Sequence, residues 1–189
     1  MKVKLKRFLD FICEMGHLGK IRHEGLRYAG IPDPETVAAH SLRVAQIAYV
    51  LGVMEKFENP DLLVTMAVFH DMGEARTGDL HKVGARYVER NERLAVRDQV
   101  AELPELASLA DYFDQTENLD TVAGVIVKDA DHLEQAFSAK EYMECGYSVC
   151  ENWLYNAKNK LQTESAKSLC ELLVKSSTFD WWQNLKKLD

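Results

Sequence analysis

The sequence predicts an all-α fold, a compact helical bundle, on three observations. Its 189 residues include only 10 glycines and 4 prolines, too few turn formers for many short strands. Apolar side chains recur at three- and four-residue spacing along successive segments. Residues that start helices stand at the heads of apolar runs, Thr36 or Asp33 before one and the pair Asn59-Pro60 before another. The length suits a single domain over residues 1–189 with a sizeable core.

Taken in order, residues 3–15 carry Val3, Leu5, Phe8, Leu9, Phe11, Ile12 and Met15, a helical stripe ending near Gly16. Residues 16–35 hold four glycines and the Pro32-Asp33-Pro34 punctuation, the composition of an ordered loop, and a long loop in a compact domain is usually functional. A helix is expected from Thr36 to about Leu51. The next, from Asp61 to about Gly73, is apolar nearly all round and should be central. Residues 84–102 are charged on most faces and predict a surface helix, and Pro104 begins a shorter one over 104–114. Further helices are expected over 119–144, 147–161 and 163–175. Phe179, Trp181 and Trp182 should then pack or sit in an interface.

Composition narrows the function classes. A net charge of −7 repels a phosphate-rich polymer, so no nucleic-acid partner is expected, and Lys2, Lys4, Lys6 and Arg7 read as the solvated face of the first helix. Cys13, Cys145, Cys150 and Cys170 lack CxxC spacing, which argues against a zinc knuckle and for reduced thiols in the cytoplasm. Charges interrupt the N-terminus where a secretion signal would be apolar. No apolar run is expected to reach the roughly 18 residues that span a bilayer.

The chemistry concentrates in a few residues. His70 lies on an apolar side of its helix, next to Asp71. A buried imidazole beside a buried carboxylate is costly unless both find partners, and a divalent ion serves both. His40 falls on the apolar stripe of the preceding helix, between Val37 and Val44, so two neighbouring helices would bring it to the same ion. A carbonyl-satisfied core histidine remains the structural alternative for either one alone.

These residues resemble a known family. Glu35 to Ser41 is similar to the E-S-V-A-E-H-S signature of HD-domain proteins. His70 to Leu80 is similar to the H-D-x-x-E-x-x-x-G-D-I block of their 5′-deoxynucleotidase (YfbR-type) branch. Lys128 to Glu134 resembles the third block, K-x-x-D-x-L-E, and Lys160 to Ala166 a later helix. The resemblance implies an HD-domain bundle with the metal site between central helices, where His40, His70, Asp71 and Asp131 hold one divalent transition metal, with Mn, Co, Ni, Fe and Zn equally suited. Periodicity alone leaves Asp129 an equal candidate; the D-x-L-E frame selects Asp131.

The resemblance further implies hydrolysis of 2′-deoxynucleoside 5′-monophosphates by a homodimer. Glu74, three residues after Asp71, would handle protons, although a plain helix-end carboxylate is the alternative. Asp79 would read the sugar or join Glu74 around a second hydrated divalent cation, or else simply stabilise the Gly78 turn. Arg22 would contact phosphate, with Arg27 nearby as a substitute and a solvated loop charge as the alternative. Three departures stand out: His23 and Leu26 occupy the region of the family's loop aromatic, Ala39 replaces an acidic residue, and Ala123-Gly124 stands where Glu-Ala is common. None removes a metal ligand. Hydrolysis of a cyclic, triphosphate or alarmone nucleotide, and a catalytically silent nucleotide-binding module, are the rival readings.

Overall fold

The computed structural model describes residues 2–183, 185 and 186. Ten α-helices run through them: α1 (Lys2–Met15), α2 (Val37–Met54), α3 (Pro60–Phe69), α4 (Glu74–Thr77), α5 (Glu92–Val100), α6 (Ser108–Asn118), α7 (Val122–Glu144), α8 (Glu151–Lys158), α9 (Glu164–Lys175) and α10 (Asp180–Gln183). No sheet forms among the described residues, and the one isolated bridge pairs Arg22 with Thr36.

Side-chain caps explain where several helices begin. Thr36 Oγ1 accepts from the Ala39 amide (3.1 Å), Asn59 Oδ1 from Leu62 (3.4 Å), Asn91 Oδ1 from Leu94 (2.9 Å) and Thr121 Oγ1 from Gly124 (3.0 Å). Each satisfies an amide that the first helical turn leaves unpaired, worth about 1 kcal/mol.

The main core gathers on α7, which packs against α2, α3, α8 and α9. Val44, Ala48 and Leu51 of α2 meet Leu63 and Met66 of α3 and Ile126, Val127 and Leu133 of α7 there. A second core joins Phe11 of α1, Met72, Val96 and Val100 of α5, and Leu109 and Phe113 of α6. Met72 follows His70 and Asp71 directly, so the dyad is braced between the two cores. Gly124 has a packing role: a Cβ there would lie 2.1 Å from the Gln115 carbonyl oxygen, so only glycine lets α7 start this close to α6.

Several expectations are corrected. The helix expected to continue to Gly73 stops at Phe69, and residues 70–73 form a turn. Helix α5 starts at Glu92 rather than 84 because Asn91 caps it, and its Ala95, Val96, Gln99 and Val100 are buried. The segment at Pro104 is a short 3-10 turn before α6. Helix α2 does reach the length and apolarity of a membrane-crossing helix, yet one side of it is core, with His40, Val44, Ala48 and Leu51 buried. On α1 only Phe11 of the expected stripe is buried, while Val3, Leu5, Leu9 and Ile12 face out. Trp181 is exposed, and Trp182 receives the Lys186 ammonium 4.1 Å from its ring centre.

Candidate metal centre

Three elements bring four side chains to one point. Helix α2 supplies His40, α7 supplies Asp131, and the turn between α3 and α4 supplies His70 and Asp71. Both histidines and Asp131 are buried. His40 Nε2 lies 3.3 Å from Asp131 Oδ1 and 3.7 Å from Asp71 Oδ2, and His70 Nε2 lies 3.1 Å from that same Asp71 oxygen. His70 keeps helical backbone angles (φ −60°, ψ −35°) just past the end of α3, and its Nε2 meets the Asp71 carboxylate of the turn that follows.

The outer nitrogens orient the rings. His70 Nδ1 donates to the Ala67 carbonyl at 2.7 Å, which leaves Nε2 buried without a hydrogen-bond partner. His40 Nδ1 is 2.6 Å from Glu134 Oε2, a fully buried carboxylate. Glu134 is held in turn by Arg43 Nε at 2.8 Å and Ser138 Oγ at 2.9 Å. Burial pushes the Glu134 carboxyl up, but the His40 hydrogen bond and Arg43 outweigh it and hold the group at about 2. A carboxylate behind a histidine in this way fixes the tautomer that presents Nε2 to a metal.

The charge pattern calls for a cation. Burial disfavours a charged His40, yet the carboxylates of Asp131 and Glu134 raise it well above the ordinary histidine value. Asp71, likewise opposed by burial, is lowered by the two histidines. Two imidazole nitrogens and two carboxylates that draw positive charge into a buried point, one nitrogen being unpartnered, fit a divalent ion. Asp129 is directed elsewhere: fully buried, it accepts from the Gln162 amide (2.9 Å), the Thr163 amide (2.6 Å) and Thr163 Oγ1 (2.7 Å) at the start of α9.

The centre lies in a cavity of about 670 Å³, within the range of small-molecule sites. Glu74 lines it and is nearly fully buried. Burial, then the negative charges of Asp71 and Asp79, push its carboxyl up to about 9, and Arg90 Nη1 approaches it at 3.1 Å. Asp79 also lines the cavity, following Gly78 at φ +71°, where glycine is favoured. One Asp79 oxygen accepts from the Glu24 amide at 2.6 Å, tying the early loop to this turn. Arg22 is not brought to the cavity wall: its guanidinium donates to the Pro34 carbonyl (3.1 Å) and lies 3.0 Å from Asp33. Arg27 is turned to Pro32 and Glu24.

Sequence reasoning missed several participants. His23 lines the cavity with its ring centre 4.5 Å from that of His40. Glu134 could have been found from its position three residues after Asp131 on α7, one turn along the same face. Arg43 and Arg90 carried no comparable signal.

Comparisons with known proteins bear on the family. A profile described as "HD domain" matches residues 15–173. The Bos taurus protein named 5′-deoxynucleotidase HDDC2 is 28% identical over 142 residues, covering 72% of this chain and 68% of the relative. The Pasteurella multocida protein named 5′-deoxynucleotidase PM0747 is 31% identical over 159 residues, covering 76% and 74%. Among solved structures, a conserved hypothetical protein from Pyrococcus furiosus superposes with a TM-score of 0.75 at 29% identity, covering 89% of this chain and 99% of that one. The chain belongs to the HD-domain family, as a hydrolase of the phosphohydrolase kind.

Proposed function

We propose that the protein hydrolyses 2′-deoxynucleoside 5′-monophosphates to deoxynucleoside and orthophosphate, using one divalent ion held by His40, His70, Asp71 and Asp131. The observation that carries this reading is the convergence of those four side chains, with His70 Nε2 unpartnered, where His40, Asp71 and Asp131 line a nucleotide-sized cavity. The deoxynucleotide class is supported by the names of the relatives. When bound, the ion supplies Lewis acidity toward a phosphoryl oxygen and toward water. Two nitrogens and two carboxylates suit Mn, Co, Ni, Fe or Zn alike.

The chain's own residues would do the rest. Glu74, whose carboxyl burial pushes up, stands on the cavity wall where it can pass a proton to the 5′ oxygen as the P–O bond breaks. Asp79 keeps one oxygen on the Glu24 amide and offers the other to the sugar, or to a second hydrated cation shared with Glu74. The early loop closes over that side of the cavity through His23 and Gly25. The buried Cys150 and Cys170, unpaired like the exposed Cys13 and Cys145, are consistent with a cytoplasmic protein. The outward apolar residues of α1 are compatible with a homodimer.

A phosphate-release screen of deoxy- and ribonucleotides, run after loading each metal in turn, tests this reading. Release from dAMP, dCMP, dGMP, dUMP or dTMP in preference to their ribose or 3′-phosphate counterparts is expected. Activity confined to cyclic or triphosphate nucleotides would contradict it.

A further inference from the structure

A dianionic phosphate needs positive charge near the metal, and the cavity is short of it. Glu74, Asp79, Glu92 and Glu117 line the wall beside the metal-facing carboxylates. Arg90 is the one arginine on the wall, and it is already engaged by Glu74, by Glu92 and by the Gly78 carbonyl at 2.6 Å. Arg22 is spent on Asp33 and Pro34. Among the described residues, the other cationic side chains on the wall, histidines aside, are Lys82, Lys128 and Lys160.

These three converge from separate elements. Lys128, on α7, reaches across to Glu117 at 2.9 Å and to Asp131 Oδ2 at 3.4 Å, which places its ammonium next to the metal centre. Lys82 comes from the segment after α4, and Lys160 from the turn between α8 and α9. Neither Lys82 nor Lys160 has a carboxylate within 4 Å among the described residues, unlike Lys128, Lys140 and Lys167. Burial and then the charges of Lys82 and Lys128 lower the Lys160 ammonium, while Asp131 pulls it upward. The like charges and the centre are therefore within electrostatic range of one another.

Lys160 is also held by a built support. Asp129 accepts from the Gln162 and Thr163 amides and the Thr163 hydroxyl, fastening the chain just after Lys160 to α7. One stretch of α7 thus presents Asp131 to the metal, Lys128 beside it, and Asp129 to the turn that carries Lys160.

We infer that Lys160, with Lys128 and Lys82 beside it, forms the seat for the substrate's phosphate, and that Asp129 is the positioning residue for Lys160. The inference rests on the reading above for the identity of the anion, and it assigns to lysines the task that the resemblance gives to Arg22.

The test is calorimetric titration of inorganic phosphate into the manganese-loaded full chain, beside steady-state kinetics on dAMP. Wild type, Lys160→Met, Lys160→Arg and Lys82→Met are compared, with metal content and deoxyadenosine binding measured on each. Lys160 is exposed, so its substitution spares the core. Lys160→Met should weaken phosphate binding and raise KM for dAMP by about tenfold to a hundredfold, the usual weight of a charge-assisted hydrogen bond. kcat, bound metal and deoxyadenosine affinity should change little, Lys160→Arg should recover most of the loss, and Lys82→Met should show a smaller effect of the same kind. Phosphate binding in Lys160→Met equal to wild type, absence of phosphate binding in wild type, or an equal loss of deoxyadenosine binding would overturn the seat. A wild type that binds phosphate through Lys160 yet hydrolyses no deoxynucleotide would remove the proposed activity and leave the seat standing.

Discussion

At the centre, His40 and Asp131 stand on the long helices α2 and α7, whereas at the rim His23, Asp79 and Lys82 stand on segments between helices. The central side chains are secured within the helical bundle, as Glu134 of α7, itself held by Arg43 of α2, secures His40. The rim side chains are secured by the backbone of another loop, as the Glu24 amide secures Asp79. Helical support fixes a ligand's direction through the core, so the centre tolerates little change without losing the ion. Loop support leaves the rim free to vary, and the departures from the family pattern at His23 and Leu26 fall there. Under the proposed function, the centre takes its donors from α2, α7 and the turn after α3, while the loops at the rim meet the substrate.

The sharpest way to break this division is at Glu74, which begins α4 between the two regions. Glu74→Ala should retain metal and nucleotide while turnover falls by ~10²–10⁴-fold, the usual contribution of a placed proton donor. Single-turnover kinetics beside metal analysis would show this, and near-normal turnover would remove Glu74 from the chemistry.

A smaller effect is expected behind the centre. Glu134→Gln removes the charge that faces both His40 and Arg43, and metal affinity should fall by about 10–100-fold, the usual weight of such an outer partner. Competition with a chelating dye measures it. Unchanged affinity would mean that His40 is oriented by packing alone.

An effect of similar size, on selectivity rather than on metal, belongs to the rim. Asp79→Ala should narrow the preference for dAMP over AMP by about tenfold to a hundredfold, because a 2′-hydroxyl would crowd Asp79, which the Glu24 amide holds in place, and a polar group displaced from its partners there costs about 1–3 kcal/mol. Ratios of kcat/KM for both nucleotides in both proteins check it. A wild type that hydrolyses AMP as well as dAMP would leave the hydrolase in place and remove the deoxy preference.

Legibility in the sequence follows the same division. Thr36 and Asn59-Pro60 marked the starts of α2 and α3 because a cap is a local interaction within three residues. The stop at Phe69 was not legible, since helical apolar spacing resumes at Met72 beyond the His70-Asp71 pair and no glycine appears before Gly73. Asn91 was a readable cap three residues before Leu94, but the charged stretch from 84 onward masked it. Helical spacing alone left Asp129 and Asp131 equal, because the difference lies in what faces each: the start of α9 for one and His40 for the other. Arg22 illustrates the limit at the rim, where a motif position did not foretell that Asp33 and Pro34 would engage the side chain.

That pair on α7 offers the most direct test of the central claim. Metal content per chain, measured by elemental analysis after loading and desalting, should be about one divalent ion in the wild type and in Asp129→Asn. It should be close to none in Asp131→Asn and in His70→Ala, since each removes a ligand from a four-donor set. An ion retained in Asp131→Asn but lost in Asp129→Asn would contradict the assignment of the centre.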